Sequence, residues 1–216
     1  MNVWALVPVK PFTSAKTRLS AVLTQAEREA LAQAMLQQVL SVTAAHQRLH
    51  GVMIVSRDAE VLTLARERGA DVLQEPTQSD LNAALTLGAA VLNERGASHA
   101  LMLPADLPFI TARDVDLLLE WASERDVVIA PDREHSGTNA LLVPLPLTFS
   151  LQYGLDSFYR HLQAARRAGL RVQVVESETL ALDVDTPADL DCYNQRAALA
   201  DAPRGLPLFL PASRHA

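Results

Sequence analysis

The 216-residue chain contains one cysteine, Cys192, which excludes an intrachain disulfide and a cysteine metal cage and suits a reducing compartment, by default the cytoplasm. It lacks an apolar run of the roughly 18 residues a membrane span requires. The N-terminal MNVWALVPVK has no basic residue ahead of its apolar stretch and no small-residue cleavage pattern behind it, so no export or anchoring signal is expected. Positive charge is in the minority. With 19 lysines and arginines against 25 acidic residues the net charge is −6, a poor basis for binding nucleic acid or an anionic membrane. Neither G-x-G-x-x-G nor G-x-x-x-x-G-K-[ST] occurs, so neither a dinucleotide fingerprint nor a P-loop is supported and a dehydrogenase is disfavoured. The six histidines show no ligand spacing, and there is no internal repeat. What remains is an ordinary globular composition, 49% hydrophobic and 20% charged, in a chain long enough for one domain with its own core.

Short apolar runs at 3–9, 51–56, 99–105, 126–131, 139–145 and 171–177 read as buried strands. Between them, Leu31, Met35, Val39 and Val42 fall on one face of an amphipathic helix, and similar stripes recur in 58–68, 80–95 and 111–122. Alternation of strand and helix predicts an α/β fold with right-handed crossovers and helices on both faces of a largely parallel sheet. Only PDREHSGT separates 126–131 from 139–145, too little for a crossover, so the sheet is expected to be mixed. In DVDTPADL, Thr186 suits a helix N-cap, Pro187 the first helical position, and Asp189 completes a capping-box spacing. One domain is expected over 1–200 and a Pro-rich tail over 201–216. Leu206, Leu208, Phe209 and Leu210 are too apolar for a solvated linker and are expected to pack on the body or on a second subunit, which would make a homodimer.

Ligands of parallel α/β sheets bind at the carboxyl ends of the strands. The loop after the first strand, KPFTSAKTRLS, carries Lys10, Lys16 and Arg18, and no acid precedes Glu27. Three uncompensated cations with Thr13, Ser14 and Thr17 beside them suit phosphate oxygens, the alternative being a solvated basic loop. LPADLPF places Asp106 between two prolines at the mouth of this region, suited to a hard divalent cation or to a turn. Asp183 and Asp185, two apart in LALDVDTP, face one side of an extended segment and repel unless a cation lies between them. The three acids together would make a carboxylate cage for Mg²⁺, although Asp185 suits helix capping nearly as well. HSGTNALLV offers a polar turn with Thr138, and YGLDSFYRH offers Gly154 and Ser157 at a helix start where backbone N–H groups favour an anion. Asn82, in SDLNAAL, caps a helix or hydrogen-bonds a nucleotide.

Taken in order, VPVKPFTSAKTRLS, LNAALTLG, LPADLPF, GTNALL, YGLDSFYRH and LDVDTPADL span residues 7–190. Together they resemble the guanylyltransferase family of coenzyme F420 biosynthesis. The resemblance implies a single-domain Rossmann-like fold of the nucleotide-diphospho-sugar transferase kind. It implies transfer of GMP from GTP to 2-phospho-L-lactate, phosphoenolpyruvate or 3-phospho-D-glycerate, with a deazaflavin-transferring enzyme as the downstream partner. Asp106, Asp183 and Asp185 match the family's Mg²⁺-binding acids; Thr138, Gly154 and Ser157 match its positions for the phosphorylated acid. Lys16 and Lys10 would meet the phosphates, Lys16 and Asp106 acting in catalysis, with Arg18 and Asn82 also on the nucleotide. The glycine-rich first loop of the broader sugar-nucleotide and molybdenum-cofactor transferases is replaced here by KPFTSAKTRLS. A sister nucleotidyltransferase and a non-catalytic nucleotide-binding module are the competing readings; three retained acids argue against the second.

Overall fold

The computed structural model describes residues 1–76, 79–199, 203 and 207–209. Seven strands, β1 (Val3–Pro8), β2 (Gly51–Ser56), β3 (Asp71–Gln74), β4 (His99–Met102), β5 (Asp126–Pro131), β6 (Thr138–Pro144) and β7 (Arg171–Val174), form one sheet in the order β3-β2-β1-β4-β6-β5-β7. The helices are α1 (Gln25–Ala45), α2 (Ala59–Glu67), α3 (Leu81–Glu94), α4 (Ala112–Glu120), α5 (Ser157–Arg167) and α6 (Pro187–Ala197). All pairings are parallel except those of β6, which runs against both β4 and β5. The mixed sheet expected from the short connection is therefore present. β3 is a strand the periodicity does not reveal, because four partly exposed residues at a sheet edge carry almost no pattern.

Successive side chains of a strand point to opposite faces. Ala5 and Val7 accordingly join one buried cluster, with α1, α2 and α4, while Leu6 joins the other, with α3 and α5. With both faces covered, the central strands read as unbroken apolar runs. Gly88 lets α3 approach closely, since a Cβ there would lie 2.6 Å from a Leu6 methyl.

A third cluster lies off the sheet. Leu19 and Leu23 from the first loop, Leu31 and Met35 of α1, Phe109, Leu182, Val184, and Leu190 and Tyr193 of α6 pack together. This cluster ties the basic loop to the DVDTP segment, 160 residues later, so that their polar residues share one rim. The Thr186–Asp189 capping box with Pro187 starting α6 is present as expected, and α1 has one of its own between Thr24 and Glu27. Phe209 docks into the third cluster, its backbone bonded in both directions to the Asn194 side chain while Tyr193 Oη donates to the Pro207 carbonyl. Packing of the tail on the body is thus seen at Phe209, while Leu206 and Leu210 lie outside the described residues. Among those residues no helix is long and apolar enough to cross a membrane.

Candidate active site

The carboxyl ends of β1 and β4 open on a cleft of about 1000 Å³. Because β6 is antiparallel, its first residues, Thr138 and Asn139, reach the same edge. The segment after β7 returns there too, held by the Arg133 N–H on the Ala181 carbonyl and by Asn139 Nδ2 on the Leu180 carbonyl.

One wall of the cleft is charged. Lys16 adopts a left-handed conformation, φ 52°, costly for a side-chain-bearing residue and often found at functional positions. It turns Nζ inward, 2.5 Å from Asp106 Oδ2 and 2.9 Å from Asp185 Oδ1. Burial would lower the Lys16 pKa, but the carboxylates of Asp106 and Asp185 outweigh it and hold the ammonium above its ordinary value. Burial likewise opposes ionisation of Asp185, and Lys16, Arg18 and Lys10 overcome it to depress that carboxyl. Arg18 Nη1 stands 3.7 Å from Asp185 and is largely exposed, as is Lys10.

Asp183 is the exception. Burial first, then the charge of Asp106, push its pKa up to about 6, and the hydrogen bond from Asn139 Nδ2 at 3.1 Å only partly offsets this. Asp106 Oδ1 is buried without a hydrogen-bond partner, and a carboxylate oxygen in that state costs free energy. Two desolvated carboxylates, one with an orphaned oxygen, fit a hard divalent cation, which typically takes one or two carboxylates and completes its shell with water and phosphate oxygens. The three acids are brought to one rim but do not form a closed cage. Lys16 sits between Asp106 and Asp185, and among the described residues no three His, Cys, Asp or Glu side chains are grouped closely enough to hold a metal on their own.

The wall at Thr138 is built of neutral groups. Thr138 lines the cleft, and Ser157 lies buried behind it, donating from Oγ to Thr138 Oγ1 at 3.1 Å. His161 Nδ1 is 3.0 Å from the same Thr138 oxygen. Gly154 lines the lip at φ 123°, a conformation that favours glycine. In the turn that leads into Thr138, the Asp132 carboxylate accepts from the backbone N–H groups of Ser136 and Gly137, both at 2.8 Å, fixing the β5–β6 connection. A Cβ on Gly137 would come within 2.7 Å of Asp132 Oδ2, so a side chain there would displace the carboxylate that fixes the turn.

Asn82 does not cap α3, one of the two roles expected of it. Asp80 caps α3 by accepting from the Ala83 N–H, while Asn82 clasps the backbone of Tyr153, giving from Nδ2 to its carbonyl and taking its N–H on Oδ1. It fastens the Gly154 loop to α3 and lies outside the cleft lining. Sequence reasoning missed Asp132 and the ammonium bridge. Asp132 reaches N–H groups four and five residues on, beyond the two-residue span of an Asx turn, so no local signal announces it. The bridge, spanning 90 and 169 residues, has none either.

The fold and the site define an α/β architecture of the nucleotide-diphospho-sugar transferase kind: an open mixed sheet with a basic loop and three acids at one carboxyl edge. The chain's structure is similar to that of a Desulfovibrio desulfuricans protein described as a nucleotide-diphospho-sugar transferase, at TM-score 0.73 and 19% identity over 93% of this chain and 90% of that one. Residues 3–193 match the model of the guanylyl transferase CofC-like family, and the chain belongs to that family. It is 41% identical to the phosphoenolpyruvate guanylyltransferase of Sphaerobacter thermophilus, over 88% of this chain and 92% of that protein. It is likewise 41% identical to the 2-phospho-L-lactate guanylyltransferase of Methanothermobacter thermautotrophicus, over 88% and 83%. With the 3-phospho-D-glycerate guanylyltransferase of Phenylobacterium zucineum the identity is 38%, over 86% of each chain.

Proposed function

We propose that this protein transfers GMP from GTP to a phosphorylated three-carbon acid, phosphoenolpyruvate, 2-phospho-L-lactate or 3-phospho-D-glycerate, in the assembly of coenzyme F420. The product would be handed to a deazaflavin-transferring enzyme in the same cytoplasmic compartment. The observation that carries the reading is the convergence on one cleft of Lys16, Asp106 and Asp183 with a separate hydroxyl wall at Thr138.

An oxygen of the acceptor's phosphate attacks the α-phosphorus of GTP, the bond from that phosphorus to the β-phosphate oxygen breaks, and pyrophosphate leaves. At neutral pH the attacking phosphate is already anionic, so no side chain need remove a proton. What the protein must supply is alignment and relief of repulsion between two polyanions. Lys10 and Arg18, both exposed at the rim, draw the nucleotide in. Lys16, permanently charged between two carboxylates, is positioned to exchange a carboxylate oxygen for a phosphate oxygen as substrate enters. Asp106 and Asp183 would hold Mg²⁺, which when bound neutralises phosphate oxygens. Asp185 keeps Lys16 and Arg18 in place and borders that site. Thr138 and the Gly154 loop receive the acceptor, with Ser157 supporting Thr138 from behind.

The test is direct. Purified protein is incubated with GTP, Mg²⁺ and each of the three acids, with a deazaflavin-transferring enzyme to trap the product, which is identified by mass. One acid should give its deazaflavin adduct, with GMP and stoichiometric pyrophosphate released. Turnover with CTP or a sugar phosphate instead would overturn the reading.

A further inference from the structure

Behind the cleft wall, α5 carries a fully buried imidazole that none of the chemistry above uses. His161 has no exposed surface and packs edge-on against Tyr153, ring centroids 4.7 Å apart. Its two nitrogens have different partners. Nε2 accepts the backbone N–H of Gln152 at 2.9 Å, so it carries no proton. In a neutral ring the proton then belongs to Nδ1, and Nδ1 faces Thr138 Oγ1 at 3.0 Å. Burial disfavours a second proton, holding the His161 pKa down to about 4.

The same oxygen receives a second donor. Ser157 is 2% exposed, and its hydroxyl has Thr138 Oγ1 as its described acceptor; a buried O–H that abandoned it would go unpaired. Thr138 Oγ1 thus accepts twice, and a hydroxyl has two acceptor positions and one proton. The remaining tetrahedral direction holds the Thr138 proton, and Thr138 is the member of the trio that lines the cleft.

We infer that His161 is a positioning residue that, with Ser157, fills both lone pairs of Thr138 and so makes the Thr138 hydroxyl an obligate donor into the cleft, selecting an anionic oxygen of the acceptor. The inference rests on the proposed acceptor site and adds a reason for its preference. A hydroxyl free to rotate serves donors and acceptors alike, whereas this one offers a proton only. Its orientation is set before substrate arrives, which spares the ordering cost at binding.

Two arms test it. Long-range ¹H–¹⁵N NMR of histidine-labelled protein at neutral pH should show His161 protonated on Nδ1 alone; the Nε2–H tautomer or an imidazolium overturns the inference whatever the substrate proves to be. In two-substrate kinetics, His161→Phe should raise the acceptor KM on the order of tenfold, the loss expected for a charge-assisted hydrogen bond, and leave the GTP KM within about twofold. His161→Gln, whose amide both donates and accepts, should recover part of that loss. In a Thr138→Val background the further effect of His161→Phe should shrink to about twofold or less, because the residue it acts through is gone. Equal rises in both KM values, or effects that multiply independently in the double variant, overturn the inference. If the wild-type protein turns over none of the three acids with GTP, the functional reading fails. If it turns one over and Thr138→Val leaves the acceptor KM unchanged, the reading stands and this inference falls.

Discussion

The two walls of the cleft are built on opposite principles. The charged wall is incomplete: Asp106 Oδ1 has no partner, Asp183 is held up to about 6 by burial and by Asp106, and Lys16 is shared between two carboxylates. The neutral wall is closed on itself, with each polar atom of Gln152 N–H, His161 and Ser157 meeting a partner and one hydroxyl facing out. The difference teaches where binding energy resides. An electrostatic site must keep free valences for charges that arrive with the substrates, and it stores the cost of doing so in the unliganded fold. A hydrogen-bonding site gains by settling its geometry beforehand.

The sharpest way to break this contrast is to neutralise the charged wall. Asp106→Asn should lower turnover by at least about a hundredfold at saturating Mg²⁺, since an amide is a poor ligand for that ion. Circular dichroism should show the fold retained, because Asp106 supports no helix cap or turn; near-normal turnover would refute the metal assignment. Asp183→Asn should also cost turnover, but with gained stability. A carboxyl whose pKa rises from 3.8 to about 6 on folding is penalised when ionised, by roughly 3 kcal/mol at pH 7.5, and asparagine can still accept from Asn139. Its Tm without metal should exceed that of the wild type, and an equal or lower Tm would show that Asp183 is not strained.

The smallest effect expected is on the neutral wall. His161 titrates near 4 when folded and near 6.5 when unfolded, so between those values the unfolded chain binds a proton that the folded protein refuses. Wild-type stability should therefore fall relative to His161→Gln as pH drops through that window. Asp183 shifts stability in the opposite sense, but it is present in both proteins and cancels. Parallel Tm curves from pH 7 to 4.5 would mean that His161 takes up its proton in the folded protein as readily as in the unfolded chain, contradicting its burial.

Much of this was legible in the residues. The apolar runs at 3–9, 51–56 and 126–131 located central strands because burial on both faces leaves little choice of residue, and DTPAD announced α6 through its own capping chemistry. The cations of KPFTSAKTRLS and the acids at 106, 183 and 185 fell on one rim. Hidden were relations between distant residues: the Lys16 bridge, the Asn82 clasp on Tyr153, and His161, whose partner lies 23 positions away. A histidine with no ligand spacing reads as structural; only the tertiary fold reveals which hydroxyl it constrains.

The claim that the two walls divide the substrates between them is tested most directly by one kinetic matrix, varying GTP and the acceptor in turn on Lys16→Ala and Thr138→Val. Lys16→Ala should raise chiefly the GTP KM, more steeply at low salt where charge-assisted contacts are strongest. Thr138→Val should raise the acceptor KM about ten- to a hundredfold, with GTP nearly unmoved. Equal losses for both substrates in both variants would contradict the account.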